Sequence, residues 1–350
     1  MTEILKPLVW KNEKLYLLDQ RKLPLEEIVI EVDSVQGVFD AIKDMVVRGA
    51  PLIGFTGIWG QVIALQNDIN LEKFIEVSNY INSSRPTAVN LEFELNVCVD
   101  KAKKYFNEHG SLKGLKEILE KHAHLQMEEL HNKNYKMAQL AEEELKRSTG
   151  HEGPYTLMTI CNTGYLACGP MGTALGVISY LHKKGKIKHV FASETRPYMQ
   201  GIRLTAYELS KEGIPHQVTV EGASSYLLKE KGVDAIFAGA DRIVANGDTA
   251  NKVGTSTLSI VANHYNVPFY IVAPITSFDL NMKTGNEIPI EMRDELEILE
   301  FRGIRVAPEK SRALNPSFDV TDHKTITGIF CENGLIKPVL PENVSKVVGK

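Results

Sequence analysis

The sequence predicts an α/β protein, with an open parallel sheet in its second part and a smaller α+β domain before it. Three observations carry this reading. After residue 155, short apolar runs alternate regularly with helix-length segments, the pattern of βαβ units joined by right-handed crossovers. Runs such as Ala235-Ile236-Phe237-Ala238 are apolar on both alternating faces, as in strands covered on both sides of a sheet. Before residue 150 the pattern is different: short alternating strands, then long amphipathic helices.

In the first part, residues 8–10 and 14–18 read as strands around the polar turn Lys11-Asn12-Glu13. Residues 27–32 add a third strand, making a small antiparallel sheet. Residues 35–46 have helical spacing, with Val38, Ala41, Ile42 and Met45 on one side, and Arg48-Gly49-Ala50-Pro51 stops that helix. Arg48 is open to two readings: a ligand-facing arginine beside a glycine N–H, or a solvated residue that favours the helix dipole. Residues 52–65 are apolar almost all round and read as a buried helix, in which Gly54, Gly57 and Gly60 let another backbone approach.

Residues 71–82 form a further helix. It runs into Asn82-Ser83-Ser84-Arg85-Pro86-Thr87-Ala88-Val89-Asn90, which reads either as an ordinary polar connection or as a loop that holds an anion on the planar donor fork of Arg85. Long amphipathic helices cover residues 91–106 and 115–147. Their His122, His124 and His131 read as solvated helix residues, not metal ligands. The charged run Glu142-Glu143-Glu144-Leu145-Lys146-Arg147, closed by Gly150, Gly153 and Pro154, marks the expected domain boundary, giving domains 1–150 and 151–350.

In the second part, strands are expected at 155–161, 189–193, 217–220, 234–238 and 268–273, and helices at 171–183, 200–212, 224–231 and 252–265. Open sheets of this kind bind ligands outside the carboxyl ends of their strands. Those ends read Cys161-Asn162-Thr163-Gly164, Glu194-Thr195-Arg196-Pro197 followed by Gln200-Gly201, Asp241-Arg242, and Ala273-Pro274-Ile275-Thr276-Ser277. Asp241 leaves a buried strand, with Lys252 expected at the start of the next helix. Alone it is equally a helix cap or a catalytic acid; the polar residues gathered along one sheet edge favour the acid. Gly164 to Gly172 lacks the G-x-G-x-x-G spacing, and Pro170 removes a backbone donor, which argues against a dinucleotide.

The chain of 350 residues, 43% hydrophobic and 24% charged, is long enough to bury a core without staples. A net charge of −4 gives no global basic field for nucleic acid or anionic membrane. The four cysteines form no CxxC pair and no zinc spacing. No apolar run reaches membrane-spanning length and the start lacks a signal-peptide core, so a cytoplasmic setting with free thiols is expected. A thiol and a carboxylate without a metal motif suit proton movement on a substrate, and Arg48, Arg85 and Lys252 are phosphate partners by residue type. The residues themselves therefore lead to an acid–base enzyme acting on a small phosphorylated metabolite.

Several motifs, taken together, resemble the methylthioribose-1-phosphate isomerase family: Val47-Arg48-Gly49-Ala50-Pro51, Ser84 to Asn90, Ile160-Cys161-Asn162-Thr163-Gly164, Glu194-Thr195-Arg196-Pro197 with Gln200-Gly201, and Gly239-Ala240-Asp241-Arg242 through Asn246-Gly247-Asp248-Thr249-Ala250-Asn251-Lys252-Val253-Gly254-Thr255. The match is collinear over nearly the whole length. The resemblance implies a Rossmann-like C-terminal domain, a homodimer, and no metal or organic cofactor. It also implies Cys161 and Asp241 as catalytic residues, and Arg48, Gly49, Ala50, Arg85, Gln200, Asn251 and Lys252 as the substrate-binding set.

The implied reaction turns a 5-substituted ribose 1-phosphate into the ribulose 1-phosphate. C1 carries the phosphate, so the ring does not open on its own. An acid must protonate the ring oxygen, and Asp241, placed after an apolar strand, is expected to have its pKa raised by desolvation. Hydrogen then moves from C2 to C1, either as a proton with Cys161 as base or as a hydride; deuterium wash-in from heavy water separates the two routes. Tyr165, Cys168 and Met171 depart from the family pattern, which leaves the C5 substituent open between methylthio and the hydrogen of 5-deoxyribose 1-phosphate. Two relatives of the fold are alternatives: ribose-1,5-bisphosphate isomerases, and non-catalytic regulatory subunits of the translation-initiation exchange factor.

Overall fold

The computed structural model describes residues 6–85, 89–301 and 303–349. The chain divides into two compact units, Met1–Asn132 with Gly164–Gly172, and Lys133–Thr163 with Thr173–Lys350. The charged run at 142–147, read from sequence as a boundary, lies in the interior of a continuous helix and belongs to the second unit.

In the first unit, β1 (Leu8–Lys11), β2 (Lys14–Leu18) and β3 (Val29–Val32) form an antiparallel sheet in that order. Asn12 and Glu13 join the first two strands with φ of 53° and 59°, the left-handed pair that matches the twist of a tight hairpin. Helix α1 (Val35–Lys43) is capped by the Ser34 hydroxyl, which accepts from the Gly37 N–H. It stops earlier than its sequence period predicts, because Met45 turns left-handed at φ 59°. Arg48 therefore precedes α2 (Ala50–Ala64) instead of ending α1.

Every residue of α2 from Leu52 to Ala64 is buried. A Cβ on Gly54 would sit 3.2 Å from the Asn90 carbonyl oxygen, the close approach that the small residue permits. Helices α3 (Leu71–Asn82), α4 (Val89–His109) and the start of α5 (Leu115–Thr149) surround α2, and Trp10 stacks on Trp59 with ring centroids 4.6 Å apart. A one-turn helix α6 (Tyr165–Cys168) completes this unit.

The second unit runs through β4 (Tyr155–Thr159), α7 (Ala174–Lys183), β5 (Ile187–Ser193), a π-helical turn (Gly201–Thr205) continued by α8 (Ala206–Glu212), β6 (His216–Thr219), α9 (Ser224–Glu230) and β7 (Ala235–Ala238). There follow β8 (Arg242–Val244), β9 (Thr249–Lys252), α10 (Thr255–His264), β10 (Phe269–Val272), β11 (Phe278–Asp279), α11 (Leu296–Leu299), β12 (Glu300–Phe301) and β13 (Ile304–Arg305). The chain closes with β14 (Phe318–Thr321), β15 (Gly328–Cys331), β16 (Gly334–Ile336) and α12 (Pro341–Val348).

Seven of these strands make one sheet in the order β16-β15-β10-β7-β4-β5-β6, with every pair parallel except the antiparallel edge strand β16. This is the Rossmann-like α/β arrangement. Strands β4, β7, β10 and β15 are buried along their whole length, as central strands covered on both faces are; the buried Thr159 hydroxyl of β4 donates to the Phe237 carbonyl.

A second sheet, β11-β8-β9-β14, corrects the reading of residues 242–254 as a loop leading into a helix at Lys252. Asn246-Gly247 closes a hairpin between β8 and β9, with Gly247 at φ 90°. Val244 and Ala250 pack with Ile288 on one face of that hairpin, and Ile243 joins the core of the large sheet on the other. Helix α10 starts only at Thr255. Among the described residues, no helix is long and apolar enough to cross a membrane.

Candidate active site

From β4 the chain adds β5 and β6 on one side of the sheet, then returns to add β7, β10 and β15 on the other. The order reverses between β4 and β7, the switch point where open α/β sheets form their binding crevice. Thr159 of β4 lies level with Phe237 of β7. Cys161 follows two residues after the first, and Asp241 four residues after the second, so both leave neighbouring parallel strands at the same edge.

Cys161 is 7% exposed and adopts φ 64°, the left-handed region that non-glycine residues rarely occupy. Its N–H donates to Thr195 Oγ1 at 2.9 Å, and its carbonyl accepts from Thr205 Oγ1 at 2.5 Å. Asn162 Nδ2 donates to Glu208 Oε1 at 2.7 Å and to Thr205 Oγ1 at 3.3 Å. On the next strand end, the Ser193 hydroxyl and the Thr195 N–H both donate to Glu221 Oε1. Burial, then the charge of Glu221, pushes the Glu194 carboxyl above its ordinary range, against a smaller opposing effect of Arg196.

Gln200 is 5% exposed, and its Oε1 has no hydrogen-bond partner within the protein. A buried amide oxygen of this kind retains the capacity to accept a hydrogen bond. The next residue is glycine for a steric reason: a Cβ on Gly201 would fall 1.6 Å from the Ser193 carbonyl oxygen.

Asp241 stands apart from these. It is exposed, and its N–H donates to the Ala250 carbonyl at 3.0 Å, the first rung of the hairpin. Asn251 and Lys252 lie on β9 opposite Asp319 and Phe318 of β14, not at the start of a helix. Asn251 is buried and donates to Thr255 Oγ1 at 3.0 Å. Lys252 Nζ donates to the Ser317 carbonyl at 2.7 Å and lies 4.6 Å from the Phe318 ring centroid. The residue that caps α10 is Asp319, through the Gly254 and Ser256 N–H groups; burial pushes its carboxyl upward in spite of those bonds.

The other expected ligand residues belong to the first unit. Gly49, at φ 88°, sits against the stretch 164–172: a Cβ there would lie 2.2 Å from the Ala167 carbonyl oxygen. The Arg48-Gly49-Ala50 motif is thereby joined to the stretch that carries Tyr165, Cys168 and Met171. Gln20 Nε2 donates to the Leu166 carbonyl at 2.7 Å and holds α6 in place. Phe55 and Leu130 lie against Gly169, and burial pushes the Tyr165 phenol above its ordinary range. Arg48 and Arg85 are half-buried; Pro86, Thr87 and Ala88 of the expected anion loop lie outside the described residues.

Among the described residues, Asp248, Asp322 and His323 bring possible metal-ligand atoms within 4.8 Å of one another. The Asp248 carboxylate already accepts four protein donors: the His323 N–H and Nδ1, Asn246 Nδ2 and the Gly285 N–H. That group is a pin for the hairpin. Sequence reasoning missed Thr205, Glu208 and Asp319, because no local signal marks them.

A family model, the initiation factor 2 subunit family, matches residues 46–338. A methylthioribose-1-phosphate isomerase of Caldicellulosiruptor saccharolyticus is 43% identical over 352 aligned positions, covering 99% of this chain and 100% of that one. This chain belongs to the methylthioribose-1-phosphate isomerase family. Another member, from Thermoanaerobacter sp. (strain X514), is 44% identical over 356 positions, with 99% and 100% coverage. The crystal structure of 5-methylthioribose 1-phosphate isomerase from Pyrococcus horikoshii OT3 superposes with a TM-score of 0.90 at 36% identity, covering 99% of this chain and 97% of that one. The delta subunit of translation initiation factor eIF-2B from A. fulgidus has a TM-score of 0.87 at 35% identity, with 99% and 100% coverage. The family fold thus accompanies two kinds of name.

Proposed function

We propose that the protein is an aldose–ketose isomerase that converts 5-methylthioribose 1-phosphate to 5-methylthioribulose 1-phosphate. The observation that carries this reading is the pair Cys161 and Asp241, leaving adjacent strands at the switch point of the sheet in a chain more than 40% identical to isomerases of that name. Asp241 delivers a proton to the ring oxygen as the C1–O4 bond breaks. That role requires an Asp241 carboxyl that carries a proton when the substrate binds. Cys161 serves the transfer of hydrogen from C2 to C1 from a turn that is largely closed to water. Gln200, Asn251 and Lys252, with Arg48, Gly49, Ala50 and Arg85, bind the sugar phosphate.

The methylthio group is favoured over the hydrogen of 5-deoxyribose 1-phosphate because the 164–172 stretch rests on apolar Phe55 and Leu130, and its Tyr165 is largely desolvated. Turnover of the two sugars by the purified protein tests both parts. The expected kcat/KM preference for the methylthio sugar is roughly 10–200-fold. Equal values would remove the C5 assignment, and no turnover of either sugar would remove the isomerase. The likeness to the initiation-factor subunit supports one rival, a binding subunit, which would bind the sugar phosphate and never convert it. The homodimer belongs to the same reading and predicts sedimentation at twice the 39.0 kDa chain mass.

A further inference from the structure

We infer that Thr195 and Thr205 are positioning residues that clamp the Cys161 peptide from both ends and so set the direction of its thiol. This deepens the proposed isomerisation and rests on Cys161 as its reacting thiol. Cys161 is left-handed at φ 64°, and so is Thr195, a β-branched residue for which that region is a genuine outlier. A turn that needs only a left-handed residue is made at least cost by glycine. A cysteine held there means that the position of the side chain matters.

The hydroxyl protons are all accounted for. Thr195 Oγ1 accepts from the Cys161 N–H and gives its own proton to the Ser193 carbonyl at 3.0 Å. Thr205 Oγ1 gives its proton to the Cys161 carbonyl and accepts from Asn162 Nδ2, which also donates to the buried carboxylate of Glu208. Thr195, Thr205, Asn162 and Glu208 are each no more than 2% exposed, so water does not compete for these bonds. Thr205 ends the π-helical turn, and Gly201, pressed on the Ser193 carbonyl, begins it. The widened turn carries the Thr205 hydroxyl to a carbonyl 44 residues away in sequence. π-turns are frequent at functional sites for this kind of local re-aiming.

Removing one hydroxyl while keeping the shape tests the clamp. Thr205→Val leaves the Cys161 carbonyl without its donor; Thr205→Ser restores it. With 5-methylthioribose 1-phosphate, Thr205→Val is expected to lower kcat roughly 10–100-fold with KM held within about twofold, and Thr205→Ser to recover most of the loss. The second readout needs no turnover: the alkylation rate of Cys161 by iodoacetamide, followed on its own peptide by mass spectrometry. It should change about fivefold or more in the valine variant and return in the serine variant. Cys98 and Cys331 are buried and report folding, since their peptides stay unmodified only while the fold holds. If Thr205→Val exposes them, Thr195→Val and Thr195→Ser carry the same two measurements. A folded valine variant with unchanged kcat and unchanged Cys161 alkylation overturns the clamp. A wild-type protein that turns over neither sugar overturns the isomerase reading, and the alkylation rates alone then decide the clamp.

Discussion

The turns that follow β4 and β7 begin alike and end differently. Both leave buried parallel strands at the same sheet edge, and both carry a residue of catalytic type within four positions. After β4 the chain bends at once into a left-handed, buried turn whose polar groups are satisfied by the neighbouring crossover. After β7 it runs outward into a hairpin, with Asp241 exposed at its root. The two side chains thus sit in different surroundings, Cys161 buried and Asp241 exposed. Under the proposed isomerisation, the acid has access to solvent and the thiol that serves hydrogen transfer is shielded from it.

The strongest way to break that comparison is to remove each side chain in turn. Asp241→Asn should lower kcat about 10²–10⁴-fold while leaving substrate affinity, measured by calorimetry, within a few fold. Cys161→Ser should cost a similar factor. Near-normal turnover in either variant would remove that residue from the chemistry and with it the functional half of the contrast.

The two turns also differ in what their glycines can tolerate. Alanine at Gly201 places its Cβ 1.6 Å from a backbone oxygen, which no rotamer change relieves. Alanine at Gly247 meets a methyl of Val339 at 2.3 Å, the end of a side chain that can shift, and adds the cost of φ 90°. Urea unfolding should therefore show Gly201→Ala destabilised by more than about 4 kcal/mol, and Gly247→Ala by roughly half that. Equal losses would mean that the Cys161 side is no more tightly packed than the hairpin side.

This difference in packing also decides what could be read from sequence. The strand ends at Cys161, Glu194 and Asp241 were legible because apolar runs and their first polar residue are local features. Their convergence followed from the rule for open sheets. The hairpin was not legible, although Asn246-Gly247 is a strong turn signal, because strand β9 finds its partner β14 near residue 318 and its glycines also fit a ligand loop. For the same reason the sequence pattern puts Lys252 at the start of a helix and offers Asp241 as its cap, whereas the residue that caps α10 is Asp319. The clamp on Cys161 was equally hidden: a hydroxyl 44 residues away leaves no periodic trace. Arg48 moved from the end of one helix to the approach of the next because one left-handed residue, Met45, ended α1 early.

The carboxyls of the two regions titrate in opposite directions, which gives the finest test. Asp248 pins the hairpin; burial works against its charge, but the bonds from His323, Asn246 and Gly285 outweigh it and hold the carboxyl below its ordinary range. Its contribution to stability is full above the unfolded carboxylate pKa of about 3.9 and is lost as pH falls through the lower folded value. Asp248→Asn should therefore cost about 1–2 kcal/mol at pH 7, and the gap to wild type should close in strongly acidic solution. Beside the Cys161 turn, burial and Glu221 raise the Glu194 carboxyl instead. Ionised Glu194 is a liability there: stability is greatest below the unfolded value of about 4.3 and declines as pH rises through the folded one. Glu194→Gln should thus be neutral in acid and raise stability by under about 1 kcal/mol at pH 7. Melting curves of the two variants against pH should separate from wild type on opposite sides; separation on the same side would show that the two turns share one electrostatic environment after all.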